Sequence, residues 1–357
     1  MRTSRFLPTG DLSRFLTECA AAQQTSAAAR VLVPVRQGRA VVFAPYAEGV
    51  DCVLERATSS PKRAVLPPCE TLMTYKRAKD PENLDHVTLS LDDSPESVPT
   101  VLLGGRPCDA RGFVVLDNPY LHGPFADPYY AKRRDSLTVI TQTCSGLCNT
   151  CFCHWVGSGP TDEAGSDIMM TALDGGWVLT SCTDKGAALL ASSSLQEDAP
   201  KAEAAAAARA AVKAATAAAP DLSAAKDALA ARFDDMDFWY KQTAHCLSCG
   251  ACTYLCPTCY CFTITDEGDG MGEQSGKRLR SWDTCMSSLF TREASGHNPR
   301  LTKAMRMRNR IMHKFSYYPG IWQGAFSCNG CGRCISHCPV HLDIRAIVQA
   351  AIAEEQK

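Results

Sequence analysis

The chain lacks an excess of either charge: 37 Lys and Arg face 38 Asp and Glu, for a formal net charge of −1. That balance argues against a globally basic surface of the kind that binds nucleic acid or an anionic membrane. Long hydrophobic runs are missing too, and no stretch approaches the roughly 18 apolar residues of a membrane-spanning helix. The opening MRTSRFLPTGDLSRFL has neither the apolar core nor the small-residue cleavage site of a signal peptide. No G-x-G-x-x-G fingerprint for a dinucleotide is present. These absences lead to the expectation of a cytoplasmic protein with no membrane insertion and no nucleic-acid partner.

Cysteine is what the chain has in abundance, 20 in 357 residues. In a reducing compartment dense thiols serve as metal ligands more often than as a disulfide framework. With 45% hydrophobic residues and this length, the chain is long enough for two domains and a sizeable core.

Residues 1–195 read as an α/β domain. VLVPVRQGRAVVFAP holds two β-branched runs around Gln37-Gly38, and DIMMTALDGGWVLTS holds two more around Gly175-Gly176, so each predicts a hairpin. TVLLGG and LTVITQ are short apolar runs of the sort that become buried strands. Residues 196–242 form an alanine-rich connector, with two helices predicted on either side of Pro220. It reads as a link between domains, with a docking arm for a partner as the alternative. Residues 243–357 are rich in cysteine, and the expected fold class is α+β, ending in a ferredoxin-like domain.

That last part contains an internal repeat. CLSCGACTYLCP (246–257) and CNGCGRCISHCP (328–339) share the pattern C-x2-C-G-x-C-x3-C-P. In bacterial ferredoxin runs of this kind three thiolates hold one [4Fe–4S] cluster and the fourth holds its neighbour. Cys246, Cys249, Cys252 and Cys338 are therefore expected to hold one cluster, and Cys328, Cys331, Cys334 and Cys256 the second. Gly250 and Gly332 fall where each loop turns tightly. Zinc also accepts C-x2-C pairs, but four cysteines in a row followed by proline, used twice, fit iron–sulfur chemistry better. Two adjacent clusters form an electron wire and transform no substrate by themselves.

Between the two runs, Leu301, Met305, Ile311, Met312 and Phe315 follow helical spacing, with Arg306, Arg308, Arg310 and Lys314 among them. The expected role of those cations is to offset anionic clusters or to face an acidic partner. Asn298, Arg300 and His313 are candidate hydrogen-bond donors near the clusters, or ordinary surface residues. Cys259, Cys261 and Cys285 lie outside the ferredoxin rule and read as buried thiols, or else as part of an additional centre.

Five further cysteines lie in GGRPCDARGFVVLD and TCSGLCNTCFCHWVGSGP. Cys148 and Cys151 alone could form a redox pair. A third metal centre is the better reading, since Cys108, Cys144, Cys151 and Cys153 supply four thiolates from the ends of two predicted strands, where α/β folds gather their sites.

Taken together, GGRPCDARGFVVLD, DPYYAKRR, CFCHWVGSGP, CLSCGACTYLCPTCYCF, SWDTC, GHNPR, RNRIMHKFSYYP and CNGCGRCISHCPV resemble the iron–sulfur subunits of the sulfhydrogenase β-subunit and anaerobic sulfite reductase A-subunit type. Similar subunits occur in flavin oxidoreductase assemblies that feed heterodisulfide reductases. The resemblance implies an electron-transfer subunit working between two partners. One is a flavoprotein with FAD and a [2Fe–2S] cluster that handles NAD(P)H. The other is a catalytic reductase, hydrogenase or heterodisulfide reductase subunit. It also implies a third [4Fe–4S] cluster on Cys108, Cys144, Cys151 and Cys153, with Cys148 as a competing ligand. The alternative is a self-contained iron–sulfur oxidoreductase that binds flavin or substrate in its α/β domain.

Overall fold

The computed structural model describes residues 2–22, 29–83, 85–95, 97–270 and 274–355. Its main sheet has seven strands: β1 (Ser4–Pro8), β2 (Arg30–Gln37), β3 (Ala40–Pro45), β6 (Thr100–Gly105), β7 (Leu137–Gln142), β8 (Ile168–Leu173) and β9 (Gly176–Ser181), in the order β1-β9-β8-β7-β6-β2-β3. The four central strands β2, β6, β7 and β8 run parallel, whereas both edges are antiparallel. Every residue of β6 and β7 is buried, which is why these segments read as continuous apolar runs without alternation. Both expected hairpins form, β2-β3 across Gly38 and β8-β9 across Asp174-Gly175.

A second sheet runs β10-β11-β4-β5 and is wholly antiparallel. It pairs β4 (Cys69–Lys79) and β5 (Val87–Asp92) with β10 (Phe262–Gly268) and β11 (Ser275–Trp282), so segments far apart in the chain share one ladder. At its base the buried Arg280 bonds Glu70 at 2.8 Å and pairs with Asp127, while Arg133 reaches Glu70 at 2.5 Å. Neither β1 nor this sheet was foreseen from periodicity. All residues of β5 and β10 are exposed and carry no buried face for a pattern to reveal.

Helices α1 (Leu12–Ala22), α2 (Pro107–Leu121), α3 (Pro128–Asp135) and α4 (Asp184–Ala191) surround the main sheet. The alanine-rich segment forms two helices, α5 (Ala199–Ala214) and α6 (Ala225–Ala231), as its sequence predicts. Rather than hanging free, α5 packs on β1, β8 and β9, with Ala205 fully buried and Arg209 bonded to Thr171 at 2.9 Å. Helix α6 packs on the last helix, α12 (Ile344–Glu355). Between them come α7 (Met236–Thr243), α8 (Ala251–Tyr254), α9 (Lys303–Met312), α10 (Tyr318–Ile321) and α11 (Arg333–Ser336).

The C-terminal core is built around Trp239, Met286, Met307, Ile311 and Phe315. Helix α9 continues through a π turn at His313–Tyr317. Ile311, Met312 and Phe315 are buried as expected, whereas Leu301, ahead of the helix, is 70% exposed, and Arg306, Arg310 and Lys314 also point inward and are buried. These cations recur every fourth residue and so lie on one stripe of the helix. Among the described residues no helix is long and apolar enough to cross a membrane.

Candidate metal centres

The first site forms at the C-terminal end of the parallel strands. β6 and β7 are neighbours, so the segments leaving them emerge side by side. Arg106 and Pro107 turn the chain from β6 into α2, where the Asp109 carboxylate accepts from the Arg106 backbone N–H at 3.1 Å and caps the helix. Cys108 is thereby held beside Cys144, two residues beyond β7. The Arg106 guanidinium ties the two strand ends together through the Thr143 carbonyl and reaches the segment after β3 through the Leu54 carbonyl. Cys108, Cys144, Cys148, Cys151 and Cys153 line one cavity, together with Arg56, Arg106 and Cys331. The expected set is thus brought together, and Cys148 joins it. Arg56 donates to Cys148 Sγ at 3.1 Å. A hydrogen bond from Cys151, assisted by Arg56, pulls the Cys148 thiol down to about 4.

The second site is a cleft lined by Cys246, Cys249, Cys252 and Cys338, with Cys334 in its wall. Cys338 comes from the other repeat, as the crossed pattern predicts. Gly250 and Gly332 adopt φ of +77° and +73° at the starts of α8 and α11, where any other residue would be strained. The two loops use matching bonds: Ser248 N–H points to Cys246 Sγ at 3.4 Å, and Gly330 N–H to Cys328 Sγ at 3.5 Å. Such N–H groups aimed at sulfur stabilise an anionic cluster.

Cys256, Cys328, Cys331 and Cys334 form the third group, which is the most deeply placed. Burial pushes Cys328 up to about 12 and Cys331 up to about 11. A ligand has to be a thiolate, so bound metal would compensate for that cost. Cations complete the surroundings. Lys314 donates to Cys256 Sγ at 3.5 Å and to Thr258 Oγ1 at 2.9 Å, and Arg310 donates to the Cys252 carbonyl at 3.2 Å.

Among the described residues no three His, Cys, Asp or Glu side chains converge closely enough for a single ion. The thiols instead surround cavities with buried cations and N–H donors beside them, a donor set suited to a multi-iron anion.

The loop carrying Cys328 and Cys331 is docked on the first site. Phe152 N–H bonds the Gly330 carbonyl at 2.7 Å, Asn329 donates to the Cys108 carbonyl, and Arg56 reaches the Cys331 carbonyl. A side chain on Gly330 would stand 2.5 Å from Cys153 Cα. Arg333 makes a fully buried bidentate pair with Asp109 at 2.6 and 3.0 Å, so one carboxylate caps α2 and anchors the second cysteine loop.

Of the donors suggested by sequence, His313 bonds Tyr260 at 3.0 Å, and Asn298 bonds Thr291 and Ser288 within its own loop. The groups beside the thiols are Arg56 and Lys62, together with Arg310 and Lys314 from the helix whose cations were expected there. A second repeat also marks the sites. CSGLCNTCFC (144–153) and CTYLCPTCYC (252–261) share C-x2-L-C-x-T-C-[FY]-C, with six of ten positions identical.

Residues 245–342 match the family described as a 4Fe-4S dicluster domain. The chain is accordingly an iron–sulfur protein with two [4Fe–4S] clusters in its C-terminal part. Over 249 residues it is 31% identical to sulfhydrogenase 2 subunit beta of Pyrococcus furiosus, a match covering 68% of this chain and 71% of that protein. The chain belongs to this iron–sulfur β-subunit family, and it is an electron-transfer subunit of an oxidoreductase. No solved structure matches it.

Proposed function

We propose that the subunit relays electrons between a flavoprotein partner that handles NAD(P)H and a separate catalytic reductase, hydrogenase or heterodisulfide reductase subunit, through three centres in line. The observation that carries this is the sharing of cysteines between sites. Cys331 belongs to the buried group and also lines the N-terminal cavity, while Cys334 belongs to the same group and lines the Cys246 cavity. The buried group therefore lies between the other two.

In this reading Cys328, Cys331, Cys334 and Cys256 hold the middle cluster, and Cys246, Cys249, Cys252 and Cys338 hold one end. Cys108, Cys144, Cys151 and Cys153 hold a third [4Fe–4S] cluster at the other end. Bound clusters supply one-electron chemistry. The protein fixes their spacing, keeps water from the middle site and presents each end to the surface, through exposed Cys148 on one side and exposed Cys249 and Leu247 on the other. We take residues 1–195, 196–242 and 243–357 as the functional divisions, and the cytoplasm as the compartment.

Mixing the purified subunit anaerobically with NAD(P)H tests the assignment of partners. The brown absorbance should bleach only when the flavoprotein is added. Tightly bound flavin, or bleaching by NAD(P)H with this chain alone, would contradict it.

A further inference from the structure

Three buried or half-buried thiols, Cys259, Cys261 and Cys285, belong to none of the three sets above. Asp283 N–H bonds the Cys261 carbonyl at 2.9 Å, which folds the turn carrying Cys285 onto the Cys259–Cys261 segment. Cys261 and Cys285 pack into the same apolar cluster.

Two independent observations point to a bound group here. The first is the ten-residue repeat, which aligns Cys151 with Cys259 and Cys153 with Cys261. The copies are alike in bonding as well as in sequence. Thr150 Oγ1 lies 3.8 Å from Cys148 Sγ, and Thr258 Oγ1 lies 3.3 Å from Cys256 Sγ. A cation approaches the same thiol in each, Arg56 on Cys148 and Lys314 on Cys256. Each copy also receives a cysteine placed three residues beyond a strand: Cys108 follows β6, which ends at Gly105, and Cys285 follows β11, which ends at Trp282.

The second observation is charge. Lys62 is 4% exposed, donates among the described residues only to the carbonyls of Thr253 and Cys259, at 3.4 and 2.9 Å, and lies 4.2 Å over the Trp282 ring. Its ammonium lies on the backbone of the cysteine segment, within electrostatic reach of the Cys259, Cys256 and Cys261 thiols and of Lys314. Among the described residues no carboxylate pairs with Lys62, Arg310 or Lys314. A buried ammonium with only carbonyl partners is costly unless an anion lies nearby. All three cations stand within electrostatic reach of the unassigned thiols, Lys62 and Lys314 of Cys259 and Cys261, and Arg310 of Cys259 and Cys285.

We propose that Cys259, Cys261 and Cys285 hold an additional iron–sulfur cluster, the counterpart of the N-terminal one, and the proposal rests on the assignment of Cys151 and Cys153 as ligands there. Three thiolates suit a [3Fe–4S] cluster or a [4Fe–4S] cluster with one iron ligated from outside this set. Lys62 and Lys314 offset its charge.

The test is iron and acid-labile sulfide analysis of the anaerobically purified full chain, with Mössbauer spectra, alongside Cys285→Ser, Cys261→Ser and Cys144→Ser. The wild type should hold about 15 or 16 irons, and each of the first two variants should lose about 3 or 4 of them while the remaining spectrum is retained. Cys144→Ser should lose a different component of the spectrum. If Cys144→Ser loses nothing while Cys285→Ser loses its share, the N-terminal assignment fails and this one stands. Full iron in both Cys261→Ser and Cys285→Ser overturns the proposal. Should both variants fail to fold, a wild-type content of no more than about 12, with about 4 lost in Cys144→Ser, overturns it equally.

Discussion

The N-terminal thiol site and the ferredoxin-type pair are built on opposite plans. The pair sits on two short loops that carry nearly all their cysteines close in sequence, with glycine-started helical turns and N–H groups aimed at sulfur. The N-terminal site draws Cys108 and Cys144 from the ends of adjacent parallel strands and adds a loop between them. One plan is local and holds its own shape, while the other depends on the sheet. The lesson is that the buried contact joining them, Arg333 to Asp109, sustains both.

That contact is where the comparison breaks most readily. Asp109→Ala or Arg333→Ala leaves a lone buried charge and should cost about 3–5 kcal/mol, measured by denaturant or thermal unfolding of the iron-loaded protein. Asp109→Ala should also loosen the N-terminal site more than the pair, because Asp109 caps α2 beside Cys108. Equal loss at both would mean the two sites are not distinct in their support.

A smaller effect is expected from Gly332→Ala. The position has φ of +73° and a side chain there would press on the Thr150 carbonyl, so a loss of about 1–3 kcal/mol should follow, again by unfolding. Gly296→Ala, also at positive φ but in open space, provides the control for strain alone.

Smallest is the effect of charge. Lys314→Met removes a cation 3.5 Å from Cys256 Sγ and should lower the midpoint potential of the middle site. A tenfold change in its one-electron equilibrium, about 59 mV, is the expected scale in an EPR-monitored titration. Lys314→Arg should restore much of it, and an unchanged potential in Lys314→Met would show that the charge is screened.

Sequence revealed the two plans unequally. The ferredoxin-type runs were legible because proline and glycine sit at fixed offsets in both, and the main strands because β6 and β7 are buried throughout and centre on runs of Val, Leu and Ile. That cations of α9 offset the thiol sites was legible, and Lys314 stands 3.5 Å from Cys256 Sγ; that Arg306, Arg310 and Lys314 are buried on one stripe was not, because charged residues at helical spacing pattern like a solvated face. The second sheet escaped because β4 and β5 meet β10 and β11 only through a long-range pairing. The ten-residue repeat was legible and was hidden only by its overlap with the longer ferredoxin repeat.

The central claim, a buried middle site between two ends, is tested most directly by EPR of the fully reduced protein with and without Cys256→Ser. The wild type should show signals broadened by spin coupling. In the variant the cluster held by Cys328, Cys331 and Cys334 should be lost, and the signals of both ends should sharpen together. Loss of the cluster nearest Cys256 in sequence, or sharpening at one end alone, would contradict the arrangement.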